Sequence, residues 1–432
     1  MTQNHPSRSP SSAAYFALAA LFAMNLLNYI DRNILAAVIE PVQKDLGIAN
    51  SDDLAGLLAT VFFLSYSLFS PVMGWLGDRV TRKYLLAIGV GVWSVATFAS
   101  GMVGTFGQMM VARSVLGIGE AAYATIAPTL IADFFPREQR NRALAFFYLA
   151  IPVGSALGFI IGGQVEAHWG WQQAFFVVGY PGLAVAFLAL AIREPRRGAS
   201  EEMDEAERLR HEALPTSWSA YTALARNRSF VFNTLGMAMM TFTVGGLAFW
   251  TPKFLSTVRE MERKDASFWL GVSIVVSGLV GTVVGSWAAD KLARKLRGAY
   301  FWIGAVSMWG AVPFICLALV AEWPIMIFSC MTVGLTLIFL NTGPSNTIIV
   351  NVSEPRIRAA AFAINILFIH LLGDIPSPYV MGGVTRATSS MLWGMALTIP
   401  AMLASGLFYR LGAKHYESDQ QAVLDSLHSS HN

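Results

Sequence analysis

The chain has 432 residues, of which 55% are apolar and 13% charged, against about a quarter charged in a soluble domain. So little polar surface cannot face water over one buried core, which excludes an ordinary soluble protein and makes lipid part of the solvent. The net charge of +3 is too small to imply a nucleic-acid partner, and Cys316 and Cys330 sit in apolar stretches with neither a disulfide framework nor a metal-ligand spacing.

The chain opens on a polar stretch, Met1 to Ser12, rich in Ser and Pro. It lacks a basic segment leading into a short apolar run and a cleavage site, so it reads as a tail and not a cleaved signal. A helix that crosses a bilayer needs about 20 mostly apolar residues. Twelve such stretches follow, at 15–40, 54–76, 84–103, 107–132, 142–164, 171–192, 230–251, 268–289, 300–320, 323–350, 359–382 and 388–411. Between the sixth and seventh, Arg193 to Arg228 is charged and contains Glu201, Glu202, Asp204, Glu205 and Glu207. That segment predicts a short surface helix and a linker. The expected organisation is an all-α membrane protein of two six-helix halves, 1–192 and 230–411, joined by a linker at 193–229 and followed by a tail at 412–432.

Orientation follows from Lys and Arg in the loops. With the N-terminus inside, 22 of the 30 basic residues fall in cytoplasmic segments and 6 on the opposite side. Both termini are therefore expected in the cytoplasm, and the membrane is the inner one if the chain is prokaryotic. The discordant loop holds Lys253, Arg259, Arg263 and Lys264.

The two halves carry an internal repeat. Asp78, Arg82 and Lys83 recur as Asp290, Arg294 and Lys295, 212 positions later. At an offset of 216, Pro128 matches Pro344, Arg140 matches Arg356, Arg142 matches Arg358 and Phe146 matches Phe362. Parallel halves of this kind are a transporter architecture, with the substrate site at the repeat interface.

Ionisable residues within a span cost at least about 2.5–3.5 kcal/mol and are functional candidates by default. They are Asp31, Arg32, Arg113, Glu120, His370 and Asp374. Glu120 falls on Thr336 at the repeat offset and Arg113 on Ser329, so the fold itself does not require these charges. Arg113 and Glu120 lie two turns apart, about 10.5 Å along one helix, too far for a direct pair. Glu120 is expected to meet Arg32 or Arg113 across spans one and four. Desolvation favours a neutral carboxyl and a guanidinium favours the ionised form; that competition suits Glu120 and Asp31 to proton coupling. The competing reading is a static ion pair holding two helices together. Arg32 and Arg113 could grip an anionic headgroup bidentately or merely neutralise the acids beside them. His370 and Asp374, four apart, share one helix face. They precede Pro376 and Pro378, which should break the helix, so the pair is either a second proton-coupling site or a brace for that break. Asp78, Arg79, Arg82 and Lys83, with Asp290 and Arg294 in the second half, read as gating loops at the membrane surface. Phe62, Phe63, Tyr66, Tyr123 and Tyr148 could line an apolar cavity.

Gly74 to Lys83, with Asp78 and Arg79 at its centre, resembles the signature loop of the major facilitator superfamily. Arg113 followed by Gly117 resembles its second motif. Four longer runs narrow the resemblance: Asn25 to Arg32, Gly117 to Asp133, Ala150 to Ser155, and His370 to Tyr379. Together these resemble the Spinster family, whose members export lysophospholipids and sphingosine-1-phosphate. Pro152, Val153 and Gly154 depart from the Gly-Pro of many antiporters of the superfamily. The resemblance implies a secondary transporter, without a cofactor or catalytic residues, that works as a monomer among membrane lipids. It would move a lysolipid or related anionic amphiphile by alternating access, coupled to protons. Asn28, Tyr29 and Tyr123, which lie in the matching runs, are then expected at the substrate with Arg32 and Arg113. Two alternatives are a transporter of a small organic anion on the same fold and an intramembrane lipid-modifying enzyme. The enzyme would need a nucleophile–base set or a metal cluster, and the sequence offers neither.

Overall fold

A computed structural model describes residues 11–77, 79–195, 224–353 and 358–429. The expected linker helix, Asp78 and the loop around Arg356 lie outside these residues. Among them, twelve helical segments are long and apolar enough to cross a membrane. In the order used below, spans 1–6 are Ser12–Ala37, Asp52–Gly77, Arg82–Ser100, Phe106–Phe134, Arg142–Trp169 and Trp171–Ala191. Spans 7–12 are Arg228–Thr257, Arg263–Ala293, Ala299–Val320, Pro324–Asn351, Ala361–Thr388 and Met391–Gly412. All twelve expected spans are present; spans 5, 7, 8 and 11 run a turn or more beyond the expected bounds, and span 1 is shifted by three residues toward the N-terminus.

The span ends carry local signals. Ser11, Thr105 and Asn227 cap spans 1, 4 and 7, each accepting a first-turn backbone N–H on its side-chain oxygen. A single residue, Gly170, connects spans 5 and 6 at φ +87, a backbone angle open to glycine and strained for other residues. The interruptions inside spans have a common cause. Span 5 breaks at Leu149, span 10 at Leu340 and Asn341, and span 12 at Leu397. Each break lies just ahead of a proline, Pro152, Pro344 or Pro400, which supplies no N–H to the preceding turn.

The chain divides into two compact units. One takes the described residues up to 47 and from 61 to 195; the other takes 48–60 and the remainder from 224. In the first unit span 1 packs on spans 5 and 6, and span 3 on spans 4 and 6. In the second unit span 7 packs on spans 11 and 12, and span 9 on spans 10 and 12. The same pairings thus recur six helices later, as the sequence repeat requires. Close helix approach comes from small residues. Gly154, Gly158 and Gly162, one turn apart on span 5, face span 1 so closely that an added Cβ would stand 2.7 Å from the Leu26 carbonyl oxygen, 2.6 Å from that of Ile30 and 2.8 Å from the Ala37 Cβ. Large apolar side chains such as Phe187, Val283 and Ile325 point outward, where hydrocarbon replaces water.

The tail beyond span 12 is a helix, Tyr416–Ser429, and not a free strand of chain. Asp419 accepts from the Ser229 backbone N–H at the start of span 7 (2.8 Å), and the Tyr416 hydroxyl accepts from Asn351 Nδ2 (2.7 Å). This burial pushes the Tyr416 phenol above its ordinary pKa, partly offset by the Asn351 bond.

Candidate functional site

The first unit gathers four of the predicted charges. Arg32 from span 1 binds Glu120 from span 4, Nε to Oε2 at 2.7 Å, with the Glu120 side chain wholly buried. Of the two partners open to Glu120 from sequence, the structure selects Arg32. The second carboxylate oxygen, Oε1, has no hydrogen-bond partner, and Asn28 stands close by. Asp31 and Arg113 are also buried, each within the electrostatic reach of the other and of Glu120. No hydrogen bond reaches Asp31 Oδ1 or Arg113 Nε and Nη1. Thr97 of span 3, also buried, stands beside Asp31. The set is two acids and two guanidiniums with one contact closed.

Aromatic rings, not carboxylates, complete the surroundings of the arginines. The Arg32 guanidinium lies 4.8 Å from the Tyr66 ring centroid, 5.0 Å from Tyr29 and 5.4 Å from Phe62. Arg113 lies 4.9 Å from Phe62, so one buried ring serves both cations. Cation–π contacts of this kind stabilise by about 0.5–2 kcal/mol, most where water is excluded. Span 2 reaches this position because Gly117 of span 4 has no side chain: a Cβ there would fall 2.3 Å from Ser65 Oγ and 2.5 Å from the Phe62 carbonyl oxygen. The sequence named Phe62 and Tyr66 only as possible cavity lining, because their contact with the arginines joins spans 1, 2 and 4.

Tyr123 belongs to the packing. It is buried, donates to the Leu21 carbonyl at 2.7 Å and meets the Trp93 ring edge-on at 5.4 Å. Its hydroxyl is already used in holding span 4 to span 1. Tyr148, by contrast, is exposed.

The surface loop differs from expectation at Arg82. It is not an exposed loop residue but the buried first residue of span 3. Its Nη1 meets Asp133 Oδ2 at 2.7 Å and its Nε meets Glu194 Oε1 at 3.1 Å. Two carboxylates offset the desolvation of one guanidinium. Glu194 also accepts from the backbone N–H groups of Arg82 and Lys83, and so supplies the negative charge a helix N-terminus favours. Neither acid was assigned a role from sequence; the signal was a carboxylate at or just beyond the C-terminal end of each of spans 4 and 6. Arg79 is exposed over the Trp75 ring, and Lys83 lies near that of Tyr84. In the second unit Asp290 accepts from the Tyr300 hydroxyl at 3.2 Å, and Arg294 is exposed. Arg82 and its repeat counterpart Arg294 therefore share a place in the sequence without sharing surroundings.

His370 and Asp374 meet as their spacing predicts, Nδ1 to Oδ2 at 2.7 Å. The helix does not simply end at the prolines. His370–Asp374 forms one π-helical turn, and a new helix starts with Pro376, where a missing N–H costs nothing. Among the discordant basic residues, Lys253 pairs with Asp52, and Arg259 donates to the Leu319 carbonyl.

Chemically, the first-unit set can exchange a proton at either acid or accept an anion on the unused edge of Arg113. Residues 21–378 match the model of the Major Facilitator Superfamily. Protein spinster homolog 3 of Danio rerio is 35% identical over 465 residues, covering 98% of this chain and 91% of that protein. Protein spinster homolog 1 of Homo sapiens is 38% identical, covering 87% and 73%. Protein spinster of Drosophila melanogaster is 37% identical over 88% of this chain, which spans 64% of the fly protein's length. Among solved structures, a bacterial homolog of the human lysosomal transporter Spinster, in an inward-facing and unoccupied conformation, superposes with a TM-score of 0.80 at 22% identity over 96% of this chain and 99% of that one. A D-xylose–proton symporter gives 0.73 at 15% identity over 94% and 97%. The chain is an integral multi-pass membrane protein, and it belongs to the Spinster family of major facilitator superfamily transporters.

Proposed function

We propose that this transporter is a proton-coupled carrier of an anionic amphiphile of the lysophospholipid or sphingolipid type, working by alternating access with both termini in the cytoplasm. The observation that supports it is the unequal pairing inside the first unit: Arg32 is closed on Glu120, while Arg113 and Asp31 keep unbonded polar atoms in a buried setting. Protonation of Glu120 would release Arg32, and an anionic headgroup could then take its place on the guanidinium. Asp31, beside the same charges, is the second proton carrier in this reading, and His370 with Asp374 a further one in the other unit. The Tyr29 ring lies 5.0 Å from the Arg32 guanidinium and Asn28 stands beside Glu120; Tyr123 contributes by packing. Arg82 and its two carboxylates, with Asp78, Arg79, Lys83, Asp290 and Arg294, act as conformational controls. The superposition on a D-xylose–proton symporter makes proton coupling on this fold a natural reading.

The test is transport by the purified protein in proteoliposomes, with lysolipids and small organic anions, with and without an imposed pH gradient. Gradient-driven lysolipid uptake is expected. The arginines by themselves ask only for an anion, so a small organic anion is the second reading; equal binding of a lysophospholipid and its isolated headgroup in nanodiscs would put it first. Cysteines placed in the tails and tested with an impermeant reagent report the orientation.

A further inference from the structure

The second repeat loop leaves a set of charges without a use. In the first unit Arg82 turns inward onto Asp133 and Glu194. At the repeat offset of 216 the place of Asp133 is taken by Ile349, and span 12, the counterpart of span 6, carries Arg410 near its end. Arg294 faces outward instead, and so do Lys291, Lys295 and Arg297. The loop packs on the end of span 12: a Cβ on Gly298 would stand 3.2 Å from the Ala413 carbonyl oxygen. Lys414, the next residue, is exposed beside it. Lys291, Arg294, Lys295, Arg297, Arg410 and Lys414 thus share one end of the second unit, on the side of the C-terminal tail.

The acids of that end leave most of this charge unbalanced. Glu417 reaches Arg297 at 3.3 Å with both side chains exposed, a pair that water and salt weaken. Asp290 is engaged by the Tyr300 hydroxyl, and Asp419 by the Ser229 backbone N–H. Among the described residues the other five cations have no ion pair.

Span 8 indicates what kind of partner fits. Val276, Val280, Val283 and Trp287 are exposed and follow one another turn by turn along one helix face, an apolar stripe suited to acyl chains. The next turn of the same stripe is Lys291, whose ammonium lies 4.9 Å from the Trp287 ring centroid. The Arg410 guanidinium lies 4.7 Å from the Trp302 ring in the same manner. Tryptophan concentrates at the level of the lipid headgroups, and clustered cations just beyond a span attract anionic lipids. A soluble anion would need the charges alone; a phospholipid uses the charges and the stripe that leads up to them.

We infer that the loop between spans 8 and 9 and the end of span 12 bind anionic phospholipids of the adjoining leaflet. The headgroup lies on the cations and the acyl chains along the exposed face of span 8. The site shares no residue with the Arg32–Glu120 set.

The test compares phosphatidylglycerol with phosphatidylcholine, each carrying a photoactivatable acyl chain, in vesicles that hold the full-length protein. Labelled peptides are identified by mass spectrometry. Phosphatidylglycerol should be preferred at the peptides bearing Trp287 to Arg297 and Arg410 to Lys414, and the preference should weaken as salt rises. Each basic residue near an anionic surface strengthens attraction by about fivefold. The triple variant K291Q/R294Q/K295Q, partly compensated by the remaining cations, should lower the preference by about tenfold, and K291Q alone by severalfold. All three side chains are exposed, so melting temperatures in phosphatidylcholine should match that of the wild type. Equal labelling of these peptides by the two lipids overturns the site, as does a preference kept by both variants. Inorganic phosphate should compete no better than chloride at equal ionic strength; displacement specific to phosphate would make the cluster a site for free anions and overturn the lipid assignment.

Discussion

Arg32 closes on Glu120 through a single Nε to Oε2 contact of 2.7 Å, and the other oxygen of the same carboxylate is left without a hydrogen bond. A bidentate pair would use both oxygens and be harder to open. The one-point contact keeps Glu120 tied to span 1 while leaving it an unused lone-pair site in a buried setting.

Glu120→Gln keeps the shape and can still accept from Arg32, but it cannot ionise. Gradient-driven uptake in proteoliposomes is expected to fall to background, with the melting temperature within a few degrees of wild type. Full pH-driven transport by this variant would remove Glu120 from the proton pathway. Asp31→Asn should reduce coupling in the same assay.

Arg32→Lys tests the aromatic surroundings. Lysine keeps the charge but loses the plane that lies against Tyr29, Phe62 and Tyr66, and the fork that matches a phosphate. Lysolipid affinity should fall by about tenfold, which is about 1.4 kcal/mol. Phe62→Leu removes the ring shared by both arginines, and a smaller loss is expected from it. Unchanged affinity in both variants would show that the rings serve packing alone.

At the start of span 3, Arg82→Ala strands two carboxylates. Removing one member of a wholly buried pair costs about 3–5 kcal/mol. Asp133 and Glu194 retain 14% and 16% of their exposure, so about 2 kcal/mol is expected. The melting temperature should drop by several degrees, and spin-label distances should show an altered balance of conformations. Glu194→Gln should shift that balance with less loss of stability. An unaltered distance distribution in both would count against conformational control.

Gly158→Leu probes the seam between spans 1 and 5. A Cβ alone would stand 2.6 Å from the Ile30 carbonyl, so a leucine must push span 1 away and carry Asp31 and Arg32 with it. Overpacking costs typically about 1–3 kcal/mol. The protein should melt lower and transport less, whereas Gly91→Leu, with nothing within 4 Å of its Cβ position, should behave as wild type.

The number of spans was legible in the sequence because a bilayer imposes a length and a polarity on each crossing segment, and those are local properties. The Arg32–Glu120 pair was legible only as one of two, since the sequence places Arg32 and Arg113 within spans but does not set which of them meets Glu120 across the helix interface. The same limit hid the partners of Arg82: Asp133 and Glu194 are far from it along the chain, and nothing in their own neighbourhoods marks them as its ligands. At span 11 the prolines predicted a break, but a π turn and a break look alike in one dimension. Composition and periodicity fixed what each segment had to be, because burial in lipid acts residue by residue. Which buried charge meets which, and which is left unpaired, only the tertiary structure decided, because those energies depend on distances between helices that the order of residues along the chain does not set.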